Sequence, residues 1–415
     1  MRYGLIGEHL GHSFSALVHP KLGSAPYELR ELQPDELAGF LGSRDFDGIN
    51  VTIPYKKAVI PHLDFLSDEA RELGAVNTVV RSDDGALTGH NTDFGGFIDM
   101  AGHSGIDFRG RRVVVLGAGG AGMVVAAAAR RLGASQVQHA VRNPREQGQL
   151  RLSEPESFAD AQIIINATPV GMFPEVDATP LPLDAFNQLE GALDCIYNPL
   201  RSNLVLDALE RGVKAEGGLY MLVAQAVRAS ELFQGRQLPE GTTDTVYNEI
   251  LRDRQNIVLV GMPSCGKTTI GKVLAAKLGH EFIDTDSLIV ERAGKPITEI
   301  FASEGEVAFR DMEAAVIEEA ALRQGVVIAT GGGSVKRDSN VRALRRSGRV
   351  YFIRRSLDAL QATADRPLSS DRAALERLWA ERLPLYEAAA DETLDYEGDF
   401  SETDIVRTLG GAFGI

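Results

Sequence analysis

The sequence predicts an α/β protein built on parallel sheets, and three observations carry that prediction. Short β-branched runs ("GINVTI", "RRVVVL", "AQIIINA", "NIVLVG", "GVVIAT", "RVYFI") alternate with longer helix-forming stretches, the pattern of strands joined by helices that cover both sheet faces. Two glycine-rich turns of different kinds, "GAGGAG" at 117–122 and "GMPSCGKTT" at 261–269, each follow such a strand and open a helix. The chain has 415 residues, more than one hydrophobic core usually organises, so two or three domains are expected.

Composition narrows the function classes. With 44% apolar and 24% charged residues the chain reads as globular and not as disordered. No apolar run approaches the roughly 18 residues of a membrane span, and "MRYGLIG" leads directly into a strand, which leaves no room for a signal peptide. Two cysteines, Cys195 and Cys265, make no disulfide framework, and a cytoplasmic location is expected. The net charge of −15, without a basic run, argues against a nucleic-acid partner.

The first glycine turn, Gly117, Ala118, Gly119, Gly120, Ala121 and Gly122, fits G-x-G-x-x-G between "RRVVVL" and the helical "MVVAAAARRLG". That context marks a Rossmann dinucleotide-binding domain, with the pyrophosphate on the helix N-terminus. The second strand, "SQVQHAV", leads into "RNPR" where an NAD-binding chain carries an acid. Arg142 and Arg145 therefore favour a 2′-phosphate, hence NADP. The stretch "MAGHSGIDFRGR" (100–111) is a candidate joint ahead of this domain, and the polar 235–255 is a clearer one, with a boundary near Arg252.

In the second turn Gly261, Gly266, Lys267 and Thr268 fit G-x-x-x-x-G-K-[ST], with Ser264, Cys265 and Thr269 completing the grip. Converging backbone N–H groups would hold phosphate oxygens, Lys267 would neutralise the β and γ phosphates, and Thr268 would ligate Mg²⁺. Cys265 reads as a small filler and not as a nucleophile. His9, His12 and His19 have no metal-ligand constellation, and turn or packing roles are expected.

The segments around the first turn, "GHSFSALVHP", "GINVTIPYKKAV", "GAVNTV", "GHNTDFGGF", "NATPVGM", "DCIYNP" and "GLYMLVAQA", resemble the shikimate dehydrogenase family over residues 3 to about 236. The resemblance implies that Ser13 and Ser15 bind a substrate carboxylate, that Thr52, Asn77 and Gln225 bind ring hydroxyls, and that Lys56 and Asp93 form the catalytic pair. Taken alone, Lys56 reads as a solvated residue after a strand and Asp93 as a helix N-cap. "FIDTDSLI", "EIFASEGEVAFRDME", "ATGGGSV", "DRPLSSD" and "ERLPLY" resemble the shikimate kinase family over 256–397. That resemblance implies that Asp284 holds Mg²⁺ through water and Asp286 contacts the attacking hydroxyl. Arg310 and Arg382 would clamp the substrate carboxylate, Gly331, Gly332 and Gly333 would let the ring approach, and Arg366 would cover the phosphates from a lid. Ser264 stands where that family usually has a glycine.

Together the resemblances imply a substrate-binding α/β domain (1–100, completed by a helix near 219–250), an NADP-binding Rossmann domain (101–218) and a P-loop kinase domain with a parallel sheet (253–415). They imply two consecutive reactions on small acids, with NADP(H), ATP and Mg²⁺: 3-dehydroshikimate to shikimate, then shikimate to shikimate 3-phosphate. Two alternatives stay open at this point: NAD-linked oxidation of quinate by the first half, and a second half that senses nucleotide without catalysis.

Overall fold

The computed structural model describes residues 2–11, 13–360 and 372–415. Arg366 and His12 lie outside the described residues. The chain divides into two compact units, Met1–Ile250 and Leu251–Ile415.

The first unit holds two sheets. One contains β1 (Tyr3–Gly7), β2 (Tyr27–Glu31), β3 (Gly48–Val51), β4 (Phe65–Leu66), β5 (Thr78–Arg81) and β6 (Leu87–His90), in the order β2-β1-β3-β5-β6-β4. It is mixed: β1 is parallel to β2 and β3, whereas β5 runs antiparallel to β3 and β6. β5 and β6 depart from the parallel pairing of helix-joined strands, because they are joined by a tight turn in which Ser82 N–H bonds to the Ala86 carbonyl and Gly85 takes φ of 86°. A connection that short permits only an antiparallel pair.

The other sheet is wholly parallel, β12-β11-β10-β7-β8-β9: β7 (Arg112–Leu116), β8 (Gln136–Val141), β9 (Leu150–Arg151), β10 (Ile163–Asn166), β11 (Gly191–Asp194) and β12 (Lys214–Glu216). Its central strands are buried on both faces, with Val113–Leu116 and Ile163–Ile165 at 3% exposure or less, which is why they read as unbroken apolar runs. Helices Thr92–Ser104 and Leu219–Gln234 pack closely against each other. Gly96 permits this approach, since a Cβ there would press on the Met221 carbonyl and on Gln225. The second helix also returns to the first sheet, where Phe233 stacks on Tyr3 with centroids 5.1 Å apart.

The helix expected near 219–250 is two: after Leu219–Gln234 comes Thr242–Arg254, anchored by the buried Val246 and Ile250 at i, i+4 spacing. The second unit carries one parallel sheet, β14-β15-β13-β16-β17, formed by β13 (Asn256–Val260), β14 (Glu281–Asp284), β15 (Val326–Ala329), β16 (Gly348–Arg354) and β17 (Glu392–Asp395). Its core gathers Val258, Leu259, Ile328, Phe352, Ile353 and Tyr386. Among the described residues no helix is long and apolar enough to cross a membrane.

His19 has the packing role its sequence suggests. It is fully buried, its ring lies on Tyr27 at 4.1 Å, and burial pushes its imidazole down to about 3. The unfolded chain takes up this proton below about 6.5, whereas the fold holds the ring neutral. The associated stability is complete above that value and is lost as pH falls toward about 3. Acidification from pH 6 to pH 4 should therefore destabilise the first unit progressively through this residue. Urea unfolding at several pH values should give a shallower slope for His19→Phe; equal slopes would contradict the assignment.

Candidate active sites

The first site is assembled where the two sheets of unit one meet the paired helices. Lys56 lies in the turn after β3, and its ammonium is 2.7 Å from Asp93 Oδ2, with both side chains partly exposed. Asp93 does not cap its helix. Asn91 is the N-cap, accepting from Phe94 N–H, which leaves Asp93 in the first turn, bonded to Lys56. Asn77 Oδ1 accepts from Thr92 N–H at 2.7 Å, Asn77 Nδ2 donates to Thr92 Oγ1 at 3.0 Å, and Thr92 reaches Gln225 Oε1 at 3.4 Å. Asn77 and Gln225, 148 residues apart in number, thus sit in one buried polar network. Ser13 Oγ accepts from Ser15 N–H at 3.2 Å; Thr52, half-buried, ends β3's run.

The glycine turn follows β7, between β10 and β8, at the point where strand order reverses and open parallel sheets bind ligands. Its glycines divide by role. Gly117 needs φ of 97°, and a Cβ on Gly122 would run into the Gly117 carbonyl oxygen; both serve the turn itself. A Cβ on Gly119 or Gly120 would meet nothing within 4 Å, so these two leave open space at the N-terminus of helix Gly120–Arg131. The space fits a dinucleotide pyrophosphate approaching backbone N–H groups. Arg142 and Arg145 are exposed on the loop after β8.

Two features escaped the sequence reading. Tyr197 packs on Phe14, between Ser13 and Ser15 in the chain, with ring centroids 5.1 Å apart, and burial raises its phenol. Asp194, fully buried, accepts from Ile196 N–H (2.9 Å), Ser202 Oγ (2.5 Å) and Asn166 Nδ2 (3.1 Å). Burial pushes its carboxyl up to about 7 against those donors. Asn166 Oδ1 in turn accepts from Thr168, the side chain that a Cβ on Gly117 would touch. The Asp194 cluster therefore holds the loops after β10 and β11 beside the glycine turn. Cys195, next to it, is half-buried, with its thiol pushed up by desolvation and by Asp194, which disfavours a thiolate role.

A cavity of about 900 Å³ lies beside the same helix pair, lined by Phe94, Ile98, Arg131 and Arg228 among others. Lys56, Asp93 and Gln225 are not among its lining residues, so this cavity is not where the paired groups lie.

The second site is one cavity of about 620 Å³ that contains the phosphate grip together with Asp286, Arg310, Arg382 and Gly331–Gly333. Lys267 is buried and donates to the carbonyls of Gly261 (2.8 Å) and Met262 (2.9 Å). Thr268 Oγ1 donates to Asp284 Oδ2 at 2.7 Å, while Asp284 Oδ1 caps helix Thr285–Ala293. Thr269 is exposed at the rim. Cys265 is fully buried, as a filler would be. Ser264 takes φ of 64°, a left-handed conformation that costs a non-glycine residue about 1–2 kcal/mol and that explains a preference for glycine at this position.

Arg310 and Arg382 are buried, at 7% and 2% exposure, and each keeps its Nε without a hydrogen-bond partner. Arg310 pairs with Glu313 at 2.7 Å; Arg382 donates to the Gly332 carbonyl at 2.9 Å. Glu313, fully buried, was not singled out from sequence, although Arg310 and Glu313 at i, i+3 face each other on a helix. Burial raises its carboxyl, opposed by Arg310, with Asp286 adding repulsion. Gly331 and Gly333 leave room for the site's charged groups. A Cβ on Gly331 would press on Asp286 and Glu313, and one on Gly333 on the Arg310 guanidinium.

Both units match known proteins. Residues 263–409 match the family model for shikimate kinase, and residues 5–79 match that for the shikimate dehydrogenase substrate binding domain. Shikimate dehydrogenase (NADP(+)) of Clostridium beijerinckii is 36% identical over 261 residues, which cover 59% of this chain and 96% of the relative. The structure of shikimate 5-dehydrogenase from Thermus thermophilus in complex with NADP(H) and shikimate aligns at 33% identity and a TM-score of 0.53, covering 60% of this chain and 99% of that one. Quinate dehydrogenase from Corynebacterium glutamicum in complex with NAD aligns at 30% identity and a TM-score of 0.55, covering 60% and 98%. The chain belongs to the shikimate dehydrogenase family and carries, after that unit, a shikimate kinase domain.

Proposed function

We propose that the chain catalyses two consecutive reactions: NADPH-dependent reduction of 3-dehydroshikimate to shikimate in the first unit, and ATP-dependent phosphorylation of shikimate to shikimate 3-phosphate in the second. The observation that carries this reading is that each nucleotide grip is accompanied, within its own unit, by groups suited to the same kind of ligand, a small hydroxylated acid. In the first unit these are serines, buried amides and a lysine–aspartate pair; in the second, two buried guanidinia and an aspartate.

In the first site, the nicotinamide supplies the hydride when NADPH is bound. Lys56 donates to the substrate oxygen on which negative charge gathers and gives it a proton, and Asp93 keeps the ammonium aimed. Asn77 and Gln225 orient the ring hydroxyls, and Ser13 and Ser15 hold the carboxylate. In the second site, Lys267 exchanges the Gly261 and Met262 carbonyls for phosphate oxygens. Asp286 orients the attacking hydroxyl and accepts its proton, and Arg310 and Arg382 clamp the carboxylate in forked geometry. The hydroxyl–carboxylate pair of Thr268 and Asp284 is a hard-oxygen donor set that suits Mg²⁺ alongside nucleotide phosphates. Bound Mg²⁺ would supply neutralising charge at those phosphates.

The division among the glycines makes the NADP site testable. Gly119→Ala should leave stability within about 0.5 kcal/mol and raise the KM for NADPH about tenfold or more, because the added methyl enters the ligand's space. Gly122→Ala should instead lower the melting temperature, because its methyl enters the turn. Thermal melts alongside NADPH titrations check both, and an unchanged NADPH KM for Gly119→Ala would place the cofactor elsewhere.

The curated relative's name specifies NADP(+), which favours NADPH over the NAD-linked quinate reading. Arg142→Ala should weaken NADPH binding by about 1.5–3 kcal/mol and leave NADH unaffected. Equal effects on both cofactors would contradict the 2′-phosphate role. Relative rates with shikimate and quinate test the substrate.

A further inference from the structure

Beneath the dehydrogenase residues runs a buried polar chain to which no role has been given. Tyr27 on β2 reaches across β1 and donates to Asn50 Oδ1 on β3 at 2.8 Å. Asn50 and Thr78 are cross-strand partners on β3 and β5, and Asn50 Nδ2 donates to Thr78 Oγ1 at 3.1 Å. Thr78 Oγ1 donates to Asn77 Oδ1 at 3.1 Å, the oxygen that also holds Thr92 and, through it, Gln225. At the other end, Tyr27 packs on His19, which lies one turn after Ser15 in helix Ser15–Lys21. The phenol ring rests on His19, nearly parallel at 4°. Asn50, Thr78 and Asn77 are each 5% exposed or less.

A buried chain of this kind is stiff, because breaking any link strands a donor or acceptor away from water. It runs from the helix that opens with Ser15, read as holding the carboxylate, to Asn77 and Gln225, read as holding the hydroxyls. We infer that Tyr27, Asn50 and Thr78 are positioning residues that fix the spacing between the carboxylate-binding and hydroxyl-binding ends of the dehydrogenase site. They thereby set its selectivity for ring acids of one size. This inference rests on the dehydrogenase reading above.

The test uses the full chain and shikimate oxidation with NADP⁺. Tyr27→Phe keeps the ring on His19 and removes only the hydroxyl. It should raise the KM for shikimate about tenfold, the worth of one well-placed hydrogen bond, with the KM for NADP⁺ within about twofold. With the methyl ester of shikimate, whose carboxylate charge is gone, the Tyr27→Phe effect should shrink to about twofold or less. Thr78→Val acts from the hydroxyl end and should penalise acid and ester alike, with Thr78→Ser restoring the native value. The double variant should lose less than the product of the single effects, because both act through Asn50. An active chain whose shikimate KM ignores Tyr27→Phe, or whose acid and ester suffer equally from it, overturns the inference alone. An unsubstituted chain that does not oxidise shikimate overturns the dehydrogenase reading and this inference with it.

Discussion

Lys56→Ala should lower the dehydrogenase kcat by about 10² or more, with the KM values for shikimate and NADP⁺ little changed. The expectation follows from the 2.7 Å contact between Lys56 and Asp93. As hydride reaches the carbonyl carbon, charge builds on oxygen, and a fixed ammonium that can release a proton stabilises that charge more than it stabilises the bound ketone. A hundredfold loss is about 2.7 kcal/mol of barrier. Asp93→Asn is the companion variant. It can still accept a hydrogen bond from Lys56 but no longer carries charge, so a smaller loss is expected, again in kcat. Steady-state kinetics in the oxidative direction separate the outcomes: a raised KM with kcat intact would make Lys56 a binding residue.

Lys267→Ala should remove phosphoryl transfer, by about 10³-fold or more, while shikimate oxidation stays within about twofold. The lysine is buried and donates to the Gly261 and Met262 carbonyls and to Cys265 Sγ, all within its own turn, so the variant takes from the cavity the cation that the glycine turn contributes. Phosphoryl transfer depends on positioning and on neutralising charge at the transferring group, and water entering the vacated space does neither. The dehydrogenase residues all lie in Met1–Ile250 and Lys267 lies in the other unit. Parallel assays on one folded preparation, with melting curves as a control, check this. A joint fall of both activities would contradict two separate sites.

Much of this was legible from sequence, and what was not has physical causes. Both glycine turns were legible because they need fixed spacings within a single loop, and Lys56 and Asp93 were named from motifs that the fold brings within hydrogen-bond distance. Strand direction in the first sheet was not read, although the local signal exists: Asp84-Gly85 between two β-branched runs marks an antiparallel hairpin. The helix Thr242–Arg254 hid in a polar stretch because only Val246 and Ile250 are buried. Asn91 and Asp93 are both good capping residues two positions apart, and only the register of the helix start decides between them. Glu313 stands three residues after Arg310, a spacing that puts both on one helix face, whereas Tyr197, Asp194 and the Tyr27–Asn50–Thr78 chain depend on contacts between separate segments. No spacing in the linear sequence reports these directly.

The central claim is that one polypeptide carries out both steps. Its most direct measurement supplies the purified chain with 3-dehydroshikimate, NADPH and ATP with Mg²⁺, and follows NADPH oxidation, ADP formation and the acid products together. The account predicts that shikimate forms at the expense of NADPH and is then converted to shikimate 3-phosphate, with one ADP for each phosphate ester. Without ATP the reaction should stop at shikimate, and shikimate added alone with ATP should still be phosphorylated. NADPH oxidation with shikimate accumulating undiminished in the presence of ATP, or no NADPH oxidation at all, would contradict it.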